Sequence, residues 1–135
     1  MLLRARETVM QRFRPILHTR GITEQQWRTL RALDDFGELS AARLAAECSI
    51  LAPSMTRILR KLSEQGFVTV TKSSRDQREL EVGISPKGQQ LVNEVRPQIQ
   101  KQYALLREQL SSERLVALYR ELNHLIDLGA RPNGE

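Results

Sequence analysis

Apolar residues at Val9, Met10, Phe13, Ile16 and Leu17 recur at helical spacing and predict an amphipathic helix over residues 2–18, stopped by Gly21. Thr23-x-x-Gln26 then has the form of a capping box, a hydroxyl serving one unbonded backbone N–H while the amide reaches back to another. The helix it opens turns Trp27, Leu30 and Leu33 inward and ends before Gly37. Ser40 caps a short helix with Ala41, Leu44, Ala45 and Cys48 on one face. In "ILAPSMTRILRKLSEQG", Pro53 suits a first helical position, Met55, Ile58, Leu59 and Leu62 form the buried stripe, and Gly66 closes it. The period then changes from helical to two. Residues 67–71 and 80–84 read as two strands, with "TKSSRDQRELEV" spanning their connection.

Ser85-Pro86 starts a second cap-then-proline helix whose stripe runs Leu91, Val95, Ile99, Tyr103, Leu106 and Leu110, with Pro97 expected to kink or break it. Ser111 caps a last helix that turns Leu115, Leu118, Tyr119, Leu122, Leu125 and Ile126 inward; residues 131–135 are expected to fray. The order predicts a mainly α fold with a small β-wing. Residues 23–85 match a winged helix-turn-helix lobe. Residues 1–20 and 86–130 carry more apolar face than one small lobe can cover, so these terminal helices are expected to form a dimerisation region. All 135 residues form one domain on this reading.

Composition narrows the class further. The single cysteine leaves no internal disulfide framework and suits a reducing compartment. No apolar run spans a bilayer and "MLLRARETVM" meets charge too early for a signal peptide, so the expectation is a soluble cytoplasmic chain with no membrane partner. Lys plus Arg is 21 against 16 for Asp plus Glu, a net +5 that favours an acidic partner. The excess is local: between Pro53 and Ser63 lie Arg57, Arg60 and Lys61 and no acid.

That helix has the outward face of a DNA reader: Pro53, Ser54, Thr56, Arg57, Arg60 and Lys61. In a major groove an arginine fork pairs with guanine, hydroxyls serve bases or phosphates, and proline touches a thymine methyl. The ribbon adds Lys72, Arg75 and Arg78 around one carboxylate, Asp76. An arginine at a ribbon tip suits a narrow, A·T-rich minor groove. Asp76 lies two residues from Arg78, close enough for the side chains to meet and for the carboxylate to hold the arginine's stem before DNA arrives.

The stretch "LAAECSILAPSMTRILRKLSEQGFVTVTKSSRDQRELEVGISPKGQQL" resembles the multiple-antibiotic-resistance-regulator (MarR) family of winged-helix transcription factors. The likeness lies in L-x-x-x-G-x-V after the basic helix, D-x-R in the wing, and S-P-x-G where the family has L-T-x-x-G. "FRPIL", "TEQQWR" and "CSILAPSMTRIL" look like the homoprotocatechuate-degradation-operon branch, whose members and neighbours answer to aromatic acids. The resemblance implies that Arg78 is the minor-groove arginine with Asp76 as its partner, and that Ser54, Thr56 and Arg57 enter the major groove. It also implies a dimer built from the first and last helices. Ile84-Ser85 in place of Leu-Thr is a mild departure that keeps the capping hydroxyl.

The family binds small aromatic anions between its dimerisation helices and its DNA-binding lobe. Arg14, His18, Trp27 and Arg31 are the candidates to line such a cleft, an arginine fork for a carboxylate and an indole for a ring. Against this stand Trp27 as plain core and Arg14 as partner to an acid across the dimer. Cys48 suggests peroxide sensing, but it shares the Ala41, Leu44, Ala45 stripe and has no resolving thiol in the chain, which favours a buried small residue. No catalytic, metal or cofactor motif is present, and the two histidines lie on opposite terminal helices. The expectation is a homodimeric repressor of an aromatic-acid catabolic operon, leaving a pseudo-palindromic operator when a small aromatic carboxylate binds. A redox-sensing regulator of the same fold and a winged-helix protein–protein module remain as alternatives.

Overall fold

The computed structural model describes residues 1–76 and 78–130. Along the chain run α1 (Leu2–Thr19), α2 (Glu24–Phe36), β1 (Leu39–Ser40), α3 (Ala41–Cys48), α4 (Ala52–Glu64), β2 (Val68–Lys72), β3 (Leu80–Ile84), α5 (Pro86–Leu110) and α6 (Ser112–Ala130). This is the mainly α fold with a β-wing that the hydrophobic pattern predicts. The chain divides into two compact units, Met1–Ile99 and a second from Gln100 onward. The tail expected to fray, residues 131–135, lies outside the described residues.

Caps set the helix starts. Thr23 Oγ1 accepts from the Gln26 N–H at 3.1 Å while Gln26 Oε1 accepts from the Thr23 N–H at 3.0 Å, the reciprocal box that starts α2. Ser40 accepts from the Arg43 N–H to start α3, and Ser111 from the Arg114 N–H to start α6. Helix α4 begins at Ala52, so Pro53 sits at the second helical position rather than the first. Its missing N–H costs nothing there either, because the opening N–H groups of a helix have no intrahelical acceptor.

The core of the first unit gathers Leu17, Leu30, Leu33, Leu44, Met55, Leu62, Val82, Val92 and Val95, all almost fully buried. Each comes from an inward helical stripe or from the inner side of the sheet. That sheet has one more strand than its sequence pattern shows. Leu39 pairs with Val82 and Ser40 with Glu81, giving the antiparallel order β1-β3-β2. A two-residue strand has no period of its own, and its place is set by its partner β3.

The junction between α4 and α5 is tightly bonded. Ser85 Oγ donates to the Gly66 carbonyl at 2.6 Å and accepts from the Gly88 N–H at 3.0 Å, while the Ser85 N–H donates to the Phe67 carbonyl. A Cβ at residue 88 would stand 2.2 Å from the Phe67 oxygen, so only glycine fits. This is the physical content of the S-P-x-G stretch. Helix α5 continues through Pro97 without the expected break; the ring is exposed, and a solvent-facing helix position leaves the freed carbonyl to water.

In the second unit the stripe of α6 departs from expectation. Leu115 is buried, but Tyr119 and Leu125 are about half exposed and Ile126 is 67% exposed. The periodicity is that of a packing face left exposed in this unit.

Candidate nucleic-acid interface

Helix α4 has two opposite faces. Met55, Ile58, Leu59 and Leu62 are buried; Pro53, Thr56, Arg57, Arg60 and Lys61 are exposed, with Ser54 half-buried. Its first turn contains no acid, whereas α2 carries Glu24 there and α6 Glu113. The partial positive charge at the start of α4 is therefore left unneutralised by its own side chains. The Thr56 hydroxyl donates to the Ala52 carbonyl at 3.1 Å. A cavity of about 310 Å³ lies between α4 and the ribbon, lined by Thr56, Leu59, Arg60, Ser63 and Glu64 of α4, Val70 and Leu80 of the ribbon, and Ala41 of α3. The basic face of α4 therefore adjoins the wing.

The wing's ribbon is held in register by Val68 opposite Ile84 and Val70 opposite Val82, closing at Lys72 opposite Leu80. Beyond it the Ser73 N–H donates to the Glu79 carbonyl at 2.9 Å and the Glu79 N–H to the Asp76 carbonyl at 3.0 Å. Ser73 is buried, and its hydroxyl accepts from the Arg75 N–H at 3.2 Å. Asp76 Oδ1 accepts the Arg78 backbone N–H at 3.0 Å. The expected contact between these two residues therefore takes a different form: the carboxylate fixes the main chain of the turn. A carboxylate two residues ahead reaches a backbone N–H with less side-chain ordering than a guanidinium on a long stem. Sequence reasoning missed Ser73; the Ser-Ser-x-Asp composition of the turn was the available signal, since such hydroxyls bond their own backbone.

Among the described residues, Arg57, Arg60, Lys61, Lys72, Arg75 and Arg78 have no carboxylate within salt-bridge distance. All six side chains are exposed. Elsewhere in the same unit several arginines are matched. Arg6 meets Glu24 at 3.0 Å and Arg20 meets Glu94 at 2.6 Å. Arg96 meets Asp34, which also accepts from Gln89 Nε2 at 2.7 Å.

The four residues predicted to line an effector cleft do not meet in one place. Arg14 and His18 line a cavity of about 380 Å³ with Leu17, Ile22, Thr23 and Glu24. Trp27 is 6% exposed and belongs to the core. Arg31 lines a second cavity of about 480 Å³ with Arg28, Asp35 and Phe36. Arg14 is bound in fork fashion by Glu7 of its own helix at 2.8 and 2.7 Å, with Glu24 at 3.7 Å, so its acid is intramolecular. The Arg14 hydrogen bonds hold the Glu7 carboxyl below its ordinary range. Cys48 is buried, and burial pushes its thiol up, away from the thiolate form, against the opposing pull of Arg28. The Arg28 guanidinium itself is tied to the Cys48 carbonyl at 2.7 Å. No described helix is long and apolar enough to cross a membrane.

The sequence pattern of the MarR family matches residues 22–80, from the end of the α1–α2 turn to the start of β3. The chain is 38% identical to the homoprotocatechuate degradative operon repressor of Escherichia coli over 128 residues, 95% of this chain and 86% of that one. It superposes on the crystal structure of the transcriptional regulator PA4135 with a TM-score of 0.90 at 40% identity, covering 97% of this chain and 95% of the other. With NadR in complex with 4-hydroxyphenylacetate the TM-score is 0.81 at 38% identity, over 92% and 88% of the two chains.

Proposed function

The chain belongs to the MarR family of winged-helix transcriptional regulators, and we propose that it is a homodimeric repressor that an aromatic carboxylate releases from DNA. On this reading α4 lies in the major groove with Ser54, Thr56 and Arg57 toward the bases, while Arg60, Lys61 and Lys72 meet phosphates. The wing carries Arg75 and Arg78 to the adjacent minor groove, and Asp76 keeps the turn in shape. The observation that carries the proposal is the set of six exposed cations on α4 and the wing that no acid of the described chain neutralises. Such a surface is matched by a polyanion of regular phosphate spacing.

The dimer rests on the uncovered apolar positions of α6 and of the start of α1, where Leu2 and Leu3 are exposed. Residues 1–20 and 86–130 supply the dimerisation helices and residues 23–85 the DNA-binding lobe. Two-fold symmetry then requires a pseudo-palindromic operator whose half-sites lie a whole number of helical turns apart. The effector reading is supported by the relatives: one is named for repression of a homoprotocatechuate operon and another holds 4-hydroxyphenylacetate. In this chain the cavity of Arg14 and His18 offers a guanidinium already oriented by Glu7 and Glu24. An incoming carboxylate would replace Glu7 on that fork. Binding shifts the dimer toward a spacing of recognition helices that does not fit the operator.

The test is fluorescence anisotropy with the duplex upstream of the protein's own gene, at fixed salt, with and without a panel of hydroxylated phenylacetates, benzoates and pyridine carboxylates. Specific binding that one acid abolishes is the expected result. Arg14→Ala should remove the response if the effector uses the first cavity, and Arg31→Ala if it uses the second. Binding indifferent to every acid would overturn the effector assignment, and absence of specific binding would overturn the repressor.

A further inference from the structure

The described helices that follow a turn begin with a hydroxyl cap, with one exception. Thr23, Ser40 and Ser111 accept from the third helical N–H of α2, α3 and α6, and Ser85 does the same for Gly88 of α5. At the N-cap of α4 stands Leu51, which has no side-chain bond to offer. The position is one where leucine is disfavoured and serine, threonine, aspartate or asparagine is preferred. Packing does not account for the leucine, because its side chain is 79% exposed. The inward apolar positions at this helix start are taken by its neighbours: Ile50 just before the cap is 8% exposed and Met55 on the first turn 1%. Those two hold the places of a hydrophobic staple. Leu51 stands outside it, two residues before exposed Pro53 and nearly two turns before exposed Arg57.

A leucine at an N-cap breaks a local rule of helix starts with no packing gain in the fold, which is what residues kept for a functional contact do. On the regulator reading above, the start of α4 is the part of the molecule that reaches deepest into the major groove. The apolar group presented there by DNA is the 5-methyl of thymine. We propose that Leu51 is a specificity-determining residue that packs on a thymine methyl in each half-site. It reads shape where Arg57 reads hydrogen-bonding pattern. The proposal rests on the operator-binding reading, and its test separates the two.

An operator is first selected from a random duplex pool by the full-length dimer. Each thymine of its half-sites is then replaced in turn by uracil, which keeps every hydrogen bond and deletes only the methyl. Symmetric replacement at one thymine per half-site should weaken binding by about fourfold per half-site, or about fifteenfold for the dimer, the worth of burying one methyl-sized group. Leu51→Asn restores a capping side chain, so its thermal midpoint should equal or exceed that of the parent. The variant should bind the thymine and uracil operators alike. Wild-type protein indifferent to uracil at every position would overturn the assignment while leaving DNA recognition in place. So would a selected operator lacking thymine in its half-sites, or a Leu51→Asn variant with the parent's uracil sensitivity. Failure to enrich any duplex would overturn the operator reading and this inference together.

Discussion

Arg57 and Arg96 are arginines on helices of the same unit, in opposite electrostatic circumstances. Arg96, on α5, is one-third exposed and closed onto Asp34 and Asp35 of α2. Arg57, on α4, stands in solvent with no carboxylate of the described residues within salt-bridge distance. The contrast extends to their regions. Arg6, Arg14, Arg20 and Arg96 are held by Glu7, Glu24, Asp34, Asp35 and Glu94, and apart from the Arg14–Glu7 pair within α1 these bonds tie separate elements together. Cations of α4 and the wing are left open. A net charge of +5 summed over the whole chain hides this partition. The two groups differ in whether a carboxylate lies close by, and that is a property of the fold more than of composition.

The largest expected effect breaks the open side of the comparison. Arg57→Ala should weaken specific operator binding by about 1–3 kcal/mol per half-site and relax the preference at one base pair. Its urea midpoint should stay near the parent's, because nothing in the fold relies on that guanidinium. Anisotropy on a set of single-base operator variants checks the first statement and chemical denaturation the second. A destabilised Arg57→Ala protein would show that the residue belongs with the scaffold.

Next comes the closed side. Asp34→Ala leaves the partly buried Arg96 and Gln89 with one acceptor fewer, and should lower unfolding free energy by about 1–2 kcal/mol. Operator affinity per folded dimer should be unchanged, as read by anisotropy below the unfolding transition. Were DNA binding to fall with stability intact, the ion pair would be acting on the operator and the partition would fail.

Arg78→Ala sharpens the comparison within the open region. Affinity should fall modestly, and the slope of log K against log salt should lose about 1 for each phosphate-like contact removed. Any preference for A·T-rich flanks should flatten. Equal salt slopes for parent and variant would remove the wing from the DNA. The smallest effect belongs to Cys48→Ser: DNA release by peroxide should be the same for parent and variant, since a buried thiol with a raised pKa supplies little thiolate at neutral pH. A peroxide response present in the parent and lost in the variant would restore the redox-sensing alternative.

Much of this was legible in the chain because its signals are local. The Thr23–Gln26 box, the Ser85 and Ser111 caps and the switch to period two after Gly66 each depend on a handful of adjacent residues, and each forms as read. What was not legible depends on partners distant in sequence or absent from the chain. Strand β1 exists only because β3 lies beside it. The apolar positions of α6 were read as interior, yet a helix stripe does not say which molecule will cover it. Trp27 and Arg31 share a helical spacing that suggested one site. Four residues advance a helix by slightly more than a turn, enough to leave the indole in the core and the guanidinium outside it. Asp76 and Arg78 were expected to meet side chain to side chain, whereas the bond to the Arg78 backbone depends on how Ser73 closes the turn.

The stitch at Ser85 has a mechanical consequence. Its bonds run to Gly66 and Phe67, and Lys87 adds one from Nζ to the Gln65 carbonyl at 2.8 Å, while Gly88 leaves no slack against Phe67. The first turn of α5, the far end of α4 and the root of the wing are thereby one rigid pivot. Helix α4 is 13 residues long, so its other end, with Leu51, hangs on a lever arm of about 20 Å, and Arg57 sits about halfway along it. A tilt of about 5° at the pivot displaces that end by about 2 Å, on the scale of a whole hydrogen bond. A small turn of α5 would be magnified by the length of the helix it carries.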